Sequence, residues 1–163
     1  MKDLQIKYST FSEKEFLEKF LKDPSSNEWF LMKTEKEIES SAFNWINFSK
    51  YNASLTGYLD GKPVAFGTLF LMPYKKLSHQ SMFYIVVDKD YRKRGIGSDM
   101  LKNLINLAKT YFNLECLICE VFENCPIISL LEKQNFKEFA YQKKYIKDEG
   151  KYTSRIMFEL WIN

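Results

Sequence analysis

A basic segment with two glycines follows an apolar run in the middle of the chain and has the composition of an anion-binding loop. The apolar run ends at Val87, and Arg92, Gly95 and Gly97 follow shortly after it. If a helix begins there, its first backbone N–H groups lack an internal acceptor and its dipole adds partial positive charge. Glycine has no Cβ atom, so an anion can approach the backbone closely. These residues predict a site for the pyrophosphate of a cofactor.

The spacing of the glycines distinguishes between kinds of phosphate loop. A nucleotide P-loop needs Gly-x-x-x-x-Gly-Lys-Ser/Thr and a dinucleotide loop needs Gly-x-Gly-x-x-Gly, and this segment has neither pattern. The pattern present, Arg92-x-x-Gly95-x-Gly97, resembles the acetyl-CoA loop of the GNAT superfamily of N-acetyltransferases. A basic turn that only caps a helix is the alternative interpretation.

The resemblance implies a set of contacts with acetyl-CoA. In this family the strand before the loop offers backbone groups to the pantetheine arm, and the loop binds the pyrophosphate. The implied cofactor-binding residues are Ile85, Val86, Val87, Arg92, Lys93, Arg94, Gly95, Ile96, Gly97, Ser98 and Asn124. The Val87 N–H would lie close to the thioester carbonyl and stabilise the oxyanion. No metal is implied.

A second segment resembles the family motif Asn-x-x-Ala followed by Leu-Tyr-Glu-Lys-x-Gly-Phe. Asn124, Leu130, Glu132, Lys133 and Phe136 match it. The resemblance implies that Asn124 contacts the pantetheine amide. The same asparagine could instead act as the N-cap of the helix that follows, and the two roles are compatible.

Two residues depart from this motif. Asn135 replaces the family glycine, and both residue types suit the left-handed end of a helix. Leu131 replaces the tyrosine that often protonates the departing thiolate. The proton could come instead from Tyr141, Tyr84, Cys125 or water.

The general base is left open by the sequence. Some family members use a glutamate at the start of the cofactor strand, where Ser81 stands, and others use an acidic residue on the next strand, near Cys119 and Glu120. His79 has the chemistry of a base near neutral pH, although a lone loop histidine is also an ordinary surface residue. The weak catalytic candidates are His79, Tyr141 and Glu120.

Composition excludes several classes of function. The chain has 163 residues, of which 45% are hydrophobic, so it is long and apolar enough for a globular core. Its 24 basic and 21 acidic residues are too balanced to predict a nucleic-acid partner. No apolar run is long enough for a membrane span, and the N-terminus lacks the apolar core of a signal peptide. Three clustered cysteines, Cys116, Cys119 and Cys125, predict free thiols in a reducing cytoplasm.

The elements that position these residues follow from hydrophobic periodicity. The expected order is β α α β β β α β α β β, with Asp60-Gly61 as a hairpin turn. Ser12, with Glu15, is the expected N-cap of the first helix, and Thr34, with Glu37, that of the second.

This order is that of the GNAT fold. The resemblance implies an α/β (α+β) class with a central mixed, mostly antiparallel sheet of about seven strands. Helices would cover both faces, and the fourth and fifth strands would splay into a V. Residues 1–163 are expected to form a single domain.

The resemblance implies transfer of an acetyl group from acetyl-CoA to a primary amine, by direct attack in a ternary complex. A small-molecule acceptor is the first expectation, and a homodimer is left open. The alternatives are an N-acetyltransferase for proteins or peptides, and a CoA-binding sensor without turnover. Glu35, Glu37 and Glu39 could attract a cationic amine such as a polyamine, or simply form the exposed face of a helix.

Overall fold

The computed structural model describes residues 3–162 and places seven strands and five helices along them. The first half of the chain contains β1 Gln5–Tyr8, α1 Lys14–Lys22, α2 Pro24–Asn27, α3 Glu35–Asn47, β2 Ser54–Leu59 and β3 Lys62–Leu71. The second half contains β4 Gln80–Val87, α4 Ile96–Thr110, β5 Cys116–Phe122, α5 Ile127–Lys133, β6 Lys137–Asp148 and β7 Lys151–Trp161. The order agrees with the sequence-based prediction apart from the additional one-turn helix α2.

All seven strands form one sheet in the order β1-β2-β3-β4-β5-β7-β6. The only parallel pair in the described part of the chain is β4 with β5, and it is short, joining Gln80–Met82 to Cys116–Ile118. Beyond Met82 and Ile118 the two strands separate, while β4 remains paired with β3 as far as Val87. The predicted V-shaped opening between the fourth and fifth strands is therefore confirmed.

Helices cover both faces of this sheet. Met100 and Leu104 of α4 are fully buried in a cluster with Phe83 and Ile85 of β4. A Cβ atom added to Gly67 would lie 2.9 Å from a Leu104 methyl group, so glycine lets α4 pack close to β3. On the opposite face, α1 and α3 form a second cluster with side chains of β3 and β4. Because successive strand residues face opposite sides, β4 contributes to both clusters.

The start of the first helix differs from the prediction. Glu13, and not Glu15, accepts a hydrogen bond from the Thr10 backbone N–H at 2.7 Å, and a 3-10 turn at Phe11–Glu13 precedes α1. Ser12 lies inside that turn, so its assignment as N-cap was wrong. The sequence contains two overlapping Ser/Thr-x-x-Glu patterns, and the local pattern alone does not choose between them.

The predicted cap of α3 is confirmed and provides a stability prediction. The Thr34 hydroxyl accepts from the Glu37 N–H at 3.2 Å, and the Glu37 carboxylate accepts from the Thr34 N–H at 2.9 Å. We expect Thr34→Ala to lower the free energy of unfolding by about 1 kcal/mol. Ser12→Ala is the control, and it should stay within about 0.5 kcal/mol of the parent. Urea denaturation measures both, and equal effects of the two changes would contradict the assignment of the cap.

Other local predictions also hold. Asp60 and Gly61 have φ values of 50° and 75° in the turn between β2 and β3, as a two-residue hairpin requires. Asn135 has a φ of 66° just after α5, in the predicted left-handed conformation. None of the helices in the described part of the chain has both the length and the apolar character to span a bilayer.

Candidate active site

A cleft of about 280 Å³ lies in the V between β4 and β5. One wall is Tyr84–Val87 of β4 and the other includes residues 119–121 of β5. The glycines of the basic loop, Gly95 and Gly97, lie at one end, and α2 contributes Ser25 and Ser26. We call this cavity the strand cleft.

The edge of β4 that faces the strand cleft carries free backbone groups. The Asp88 N–H donates to the Val64 carbonyl of β3 at 2.8 Å. Because backbone groups alternate in direction along a strand, those of Ile85 and Val87 point away from β3 and into the cleft. The Val87 carbonyl accepts from Arg92, so the Ile85 groups and the Val87 N–H remain for a ligand. The separation of β5 leaves this edge without a strand partner, so an extended ligand with amide groups could pair with it.

The glycine loop presents a helix N-terminus to the same cleft. Gly95 is the N-cap of α4 and has a φ of 82°, a backbone conformation that residues with a Cβ atom rarely adopt. The Asp99 N–H closes the first turn on the Gly95 carbonyl at 3.0 Å. The N–H groups of Ile96, Gly97 and Ser98 precede that bond and have no acceptor within the helix. This arrangement suits a phosphate group.

The two arginines of the loop have other partners. Arg92 donates from Nε to the Val87 carbonyl at 3.2 Å and from Nη1 to the Ser25 hydroxyl at 2.9 Å. Its guanidinium therefore ties α2 to the end of β4. Arg94 donates to the Asp90 carbonyl at 3.0 Å and lies over the Tyr91 ring. Lys93, between these two arginines, also lines the strand cleft, and its ammonium group has no such hydrogen bond to a residue that the structure describes.

The structure brings most of the predicted cofactor residues together. The strand cleft is lined by Ile85, Val86, Val87, Arg92, Lys93, Gly95, Ile96 and Gly97. The side chains of Arg94, Ser98 and Asn124 are not part of its wall. Asn124 is exposed with a φ of 66°, and Pro126 is the N-cap of α5, so the alternative role of Asn124 as an N-cap was wrong.

A second cavity, of about 940 Å³, lies on the face of the sheet that α3 covers. We call it the α3 cavity. Its aromatic lining consists of Trp29, Phe30, Trp45, Phe70, Tyr84 and Phe122. It shares Trp29, Phe30, Tyr84 and Glu120 with the strand cleft. Two ligands, one in each cavity, would therefore meet at these residues.

Tyr84 and Glu120 are the groups at this junction that can exchange protons. The Glu120 carboxylate lies 3.3 Å from Arg155 Nη1, and both side chains are largely buried. The Tyr84 ring stacks on Trp45 with ring centroids 5.7 Å apart. Burial, and next the nearby Glu120 carboxylate, raise the pKa of Tyr84. Its hydroxyl therefore stays protonated at neutral pH and can donate a hydrogen bond.

The remaining catalytic candidates lie elsewhere. His79 precedes β4 at the closed end of the V and stacks on Trp161, with centroids 6.4 Å apart. Tyr141 donates to the Glu123 carboxylate at 2.8 Å and is half exposed. Neither side chain lines either cavity. Of the three candidates, the structure places Glu120 alone where the cavities meet.

Two further residues stand where members of the family can carry proton-transfer groups. In this protein both side chains are buried. Leu131 is fully buried in the core cluster under α4. Ser81 is also fully buried, and its hydroxyl donates to the Met82 carbonyl at 2.8 Å. Neither side chain lines a cavity.

Sequence reasoning missed the contribution of α2 to this site. Ser25 and Ser26 line the strand cleft and bind the Arg92 guanidinium. They lie far from Arg92 in the sequence, and nothing local pairs them with it. The signal that was available is Pro24, since proline favours the first position of a helix and could have revealed α2.

Comparison with known proteins identifies the family of the chain. Residues 13–136 match the model of the acetyltransferase (GNAT) family, and the chain belongs to that family. This finding confirms the resemblance seen in the two motifs.

Two relatives have curated activities. L-amino acid N-acetyltransferase AaaT of Escherichia coli K12 is 27% identical over 100 residues, which are 61% of this chain and 62% of that one. An N-alpha-acetyltransferase of Sulfolobus acidocaldarius is 38% identical over 65 residues, 39% of either chain. The match with this chain thus spans less than two thirds of the length of each relative.

Solved structures share the fold over nearly the whole chain. A ribosomal-protein-alanine N-acetyltransferase from Brucella melitensis superposes with a TM-score of 0.81 at 20% identity, covering 96% of this chain and 99% of that one. The yncA structure from Salmonella typhimurium, solved with its cofactor acetyl-CoA, gives 0.83 at 11% identity, covering 99% and 95%. At these identities the likeness establishes the fold, and it agrees with the predicted GNAT architecture.

Proposed function

We propose that this protein transfers the acetyl group of acetyl-CoA to a primary amine of a small molecule in a ternary complex. The observation that carries this proposal is the meeting of the strand cleft and the α3 cavity at Tyr84 and Glu120. One cavity would hold the acyl donor and the other the acceptor. The names of the two curated relatives, both N-acetyltransferases, support the same reaction.

The residues of the strand cleft fit acetyl-CoA. A Cβ atom on Gly97 would point towards Leu130 and Val87, 3.6 and 3.9 Å away, so a side chain larger than alanine would extend into the cleft where the pyrophosphate would lie. The first N–H groups of α4 and the Lys93 ammonium would bind the phosphates. The free backbone edge of β4 would bind the pantetheine amides. Acetyl-CoA supplies the thioester whose acyl group is transferred.

We place the thioester carbonyl at the Ile85 N–H, two residues deeper than the Val87 N–H that the family resemblance implied. Ile85 follows Tyr84, where the two cavities meet, whereas the Val87 carbonyl is bound by Arg92 beside the loop. A backbone N–H fixed in a strand is pre-oriented to stabilise a tetrahedral oxyanion.

Glu120 and Tyr84 are the groups we assign to proton transfer. The Glu120 carboxylate would take a proton from the bound ammonium group and so free the nitrogen lone pair that attacks the thioester carbonyl. As the N–C bond forms and the C–S bond breaks, the attacking nitrogen would lose its second proton to the CoA thiolate, and the Tyr84 hydroxyl would donate a hydrogen bond to the departing sulfur. Arg155 fixes the Glu120 carboxylate at the junction.

The alternative acceptor is the N-terminus of a protein or peptide. The observations that favour it are the size of the α3 cavity and the N-alpha-acetyltransferase relative. We place the activity in the cytoplasm, a reducing compartment in agreement with the free thiols of Cys116, Cys119 and Cys125.

Calorimetric titration with acetyl-CoA, followed by an assay of thiol release with an amine panel, tests the proposal. We expect one site per chain with micromolar affinity, and CoA release that depends on an amine. Binding without release for small amines or N-terminal peptides would favour the CoA sensor. Absence of binding at millimolar acetyl-CoA would refute the assignment of the strand cleft.

Cys125 provides a second, chemical test of the cleft. It is half-buried in the cleft wall, and burial raises the pKa of its thiol. Because the thiolate reacts, we expect alkylation by iodoacetamide to be slow at pH 7 and roughly tenfold faster for each pH unit above it, up to the thiol pKa. Acetyl-CoA should protect Cys125, and the buried Cys116 should stay unlabelled throughout. Peptide mass spectrometry measures the labelling of both cysteines. If acetyl-CoA leaves the labelling of Cys125 unchanged, the strand cleft is not the acetyl-CoA site.

A further inference from the structure

We propose that the acceptor is a monoamine whose nitrogen is attached to an apolar aliphatic or aromatic group, and that the α3 cavity selects against polyamines. This inference rests on the proposed function, because it assigns the acceptor to the α3 cavity.

The lining of the α3 cavity is the first argument. Beyond the aromatic side chains already named, it contains Leu31, Met32, Leu71, Met72 and Met82. Aromatic and thioether groups provide apolar contact area that adapts to ligands of different shape. At about 940 Å³ the cavity has room for a substantial apolar group beyond the amine.

The distribution of charge is the second argument. The acidic residues in the lining are Glu120, at the junction, and Glu37. The Glu37 carboxylate accepts through Oε2 from the backbone N–H groups of Lys33 and Thr34 at 2.7 and 2.9 Å, and these bonds to neutral groups leave its negative charge in place. Lys36 adds a positive charge to the lining. Glu120 pairs with Arg155 at the junction, where the reacting amine would lie. In the rest of the lining the charges of Glu37 and Lys36 offset each other, and the other polar residues, Thr34, Ser40, Ser41 and Asn44, are neutral.

The acidic residues around the cavity are also paired. Glu35 and Glu39 lie 3.0 and 3.9 Å from Lys22 Nζ. Asp148 and Glu149, at the turn between β6 and β7, both pair with Lys33. Of the three glutamates that the sequence offered for a cationic amine, Glu37 lines the cavity, and Glu35 and Glu39 are not part of its lining. A second ammonium group would find no net negative charge in the lining and would lose hydration against its apolar side chains, so a diamine should bind less well than a monoamine of the same length.

A matched pair of amines tests the inference. In n-hexylamine a methyl group stands where 1,5-diaminopentane has its second ammonium. We expect kcat/KM for CoA release to be roughly 10- to 100-fold higher with hexylamine. A diamine that is equally good or better would overturn the inference, while CoA release itself would leave the transferase proposal standing.

A substitution in the cavity lining provides a second test of the amine preference. Met72 follows β3 and is part of the lining. Met72→Glu should reduce the preference for hexylamine at least tenfold, because it places a carboxylate near the second ammonium. Met72→Gln, of similar size and without charge, is the control and should keep most of the preference. Equal effects of the two variants would contradict the role of charge.

Binding can be followed even if neither amine is acetylated. Trp29 and Trp45 line the cavity, whereas Trp161 stacks on His79. In a Trp161→Phe protein with CoA present, hexylamine should change tryptophan fluorescence saturably, at concentrations at least tenfold below those of the diamine. If this binding difference is found but the separate assay shows no CoA release from acetyl-CoA, the selectivity of the cavity would stand and the transferase proposal would be refuted. No fluorescence change with either amine would refute the proposed acceptor site.

Discussion

Replacing Gly97 by phenylalanine is expected to weaken acetyl-CoA binding more than 100-fold, a loss of about 2.7 kcal/mol, while the protein still folds. Gly97 lies in the first turn of α4, and its missing Cβ faces Val87 and Leu130 across the strand cleft. A ring attached there would occupy the space that we assign to the pyrophosphate and block the helix N-terminus. Calorimetry measures the dissociation constant, and thermal unfolding shows whether the fold is retained.

Gly97→Ala is the matched control for this change. A Cβ atom at Gly97 makes ordinary contacts, the nearest at 3.6 Å, so alanine should bind acetyl-CoA within about threefold of the parent. If the phenylalanine variant bound normally, the loop would be a structural cap and the cofactor would lie elsewhere. If alanine alone abolished binding, loss of backbone freedom and not filled space would be the cause.

Glu120→Gln is expected to lower kcat/KM by about 10²- to 10³-fold and to leave the dissociation constant of acetyl-CoA within about twofold. The amide keeps the shape of the side chain and removes the proton acceptor beside Arg155. Steady-state thiol release measures the first quantity and calorimetry the second. Glu123→Gln is the control, since Glu123 follows β5 directly and bonds Tyr141 outside both cavities. Its kcat/KM should stay close to that of the parent.

The pH dependence of kcat/KM for Glu120→Gln distinguishes the loss of a general base from a disturbed arrangement of the site. Without the carboxylate, the variant depends on amine that is already neutral in solution. Its kcat/KM should therefore rise tenfold per pH unit up to the pKa of the acceptor. If kcat/KM of the variant is lower than that of the parent by the same factor at every pH, Glu120 is a positioning residue. If kcat/KM is unchanged, Glu120 has no role in the mechanism.

The fold was predictable where its signals are local. The turn at Asp60-Gly61, the cap at Thr34 and the left-handed Asn135 depend on backbone and side-chain preferences over a few residues, and each is found where the sequence indicates. The first helix shows the limit of such signals, because Thr10 and Ser12 both begin plausible caps and only Thr10 is used.

The position of the loop to which we assign the phosphates was predictable for the same reason. The loop from Arg92 to Gly97 is contiguous, so its residues alone indicate where the strand ends, where the helix begins and where the glycines lie between them. The roles of its side chains were not predictable, since the partners of Arg92 are Ser25 and Ser26 on a helix far away in the sequence.

What the sequence determined by itself is therefore the family, the order of the elements and the loop that would bind the cofactor. What the tertiary structure decided is the junction of the two cavities. Cys119 and Glu120 are neighbours in the sequence, but the pleat of β5 turns Cys119 to the core under α4 and Glu120 to the α3 cavity. The separation of β4 from β5 beyond Met82 then brings Tyr84 and Glu120 to one opening. Such contacts depend on which strands part and which faces the helices cover, and no local pattern contains that information.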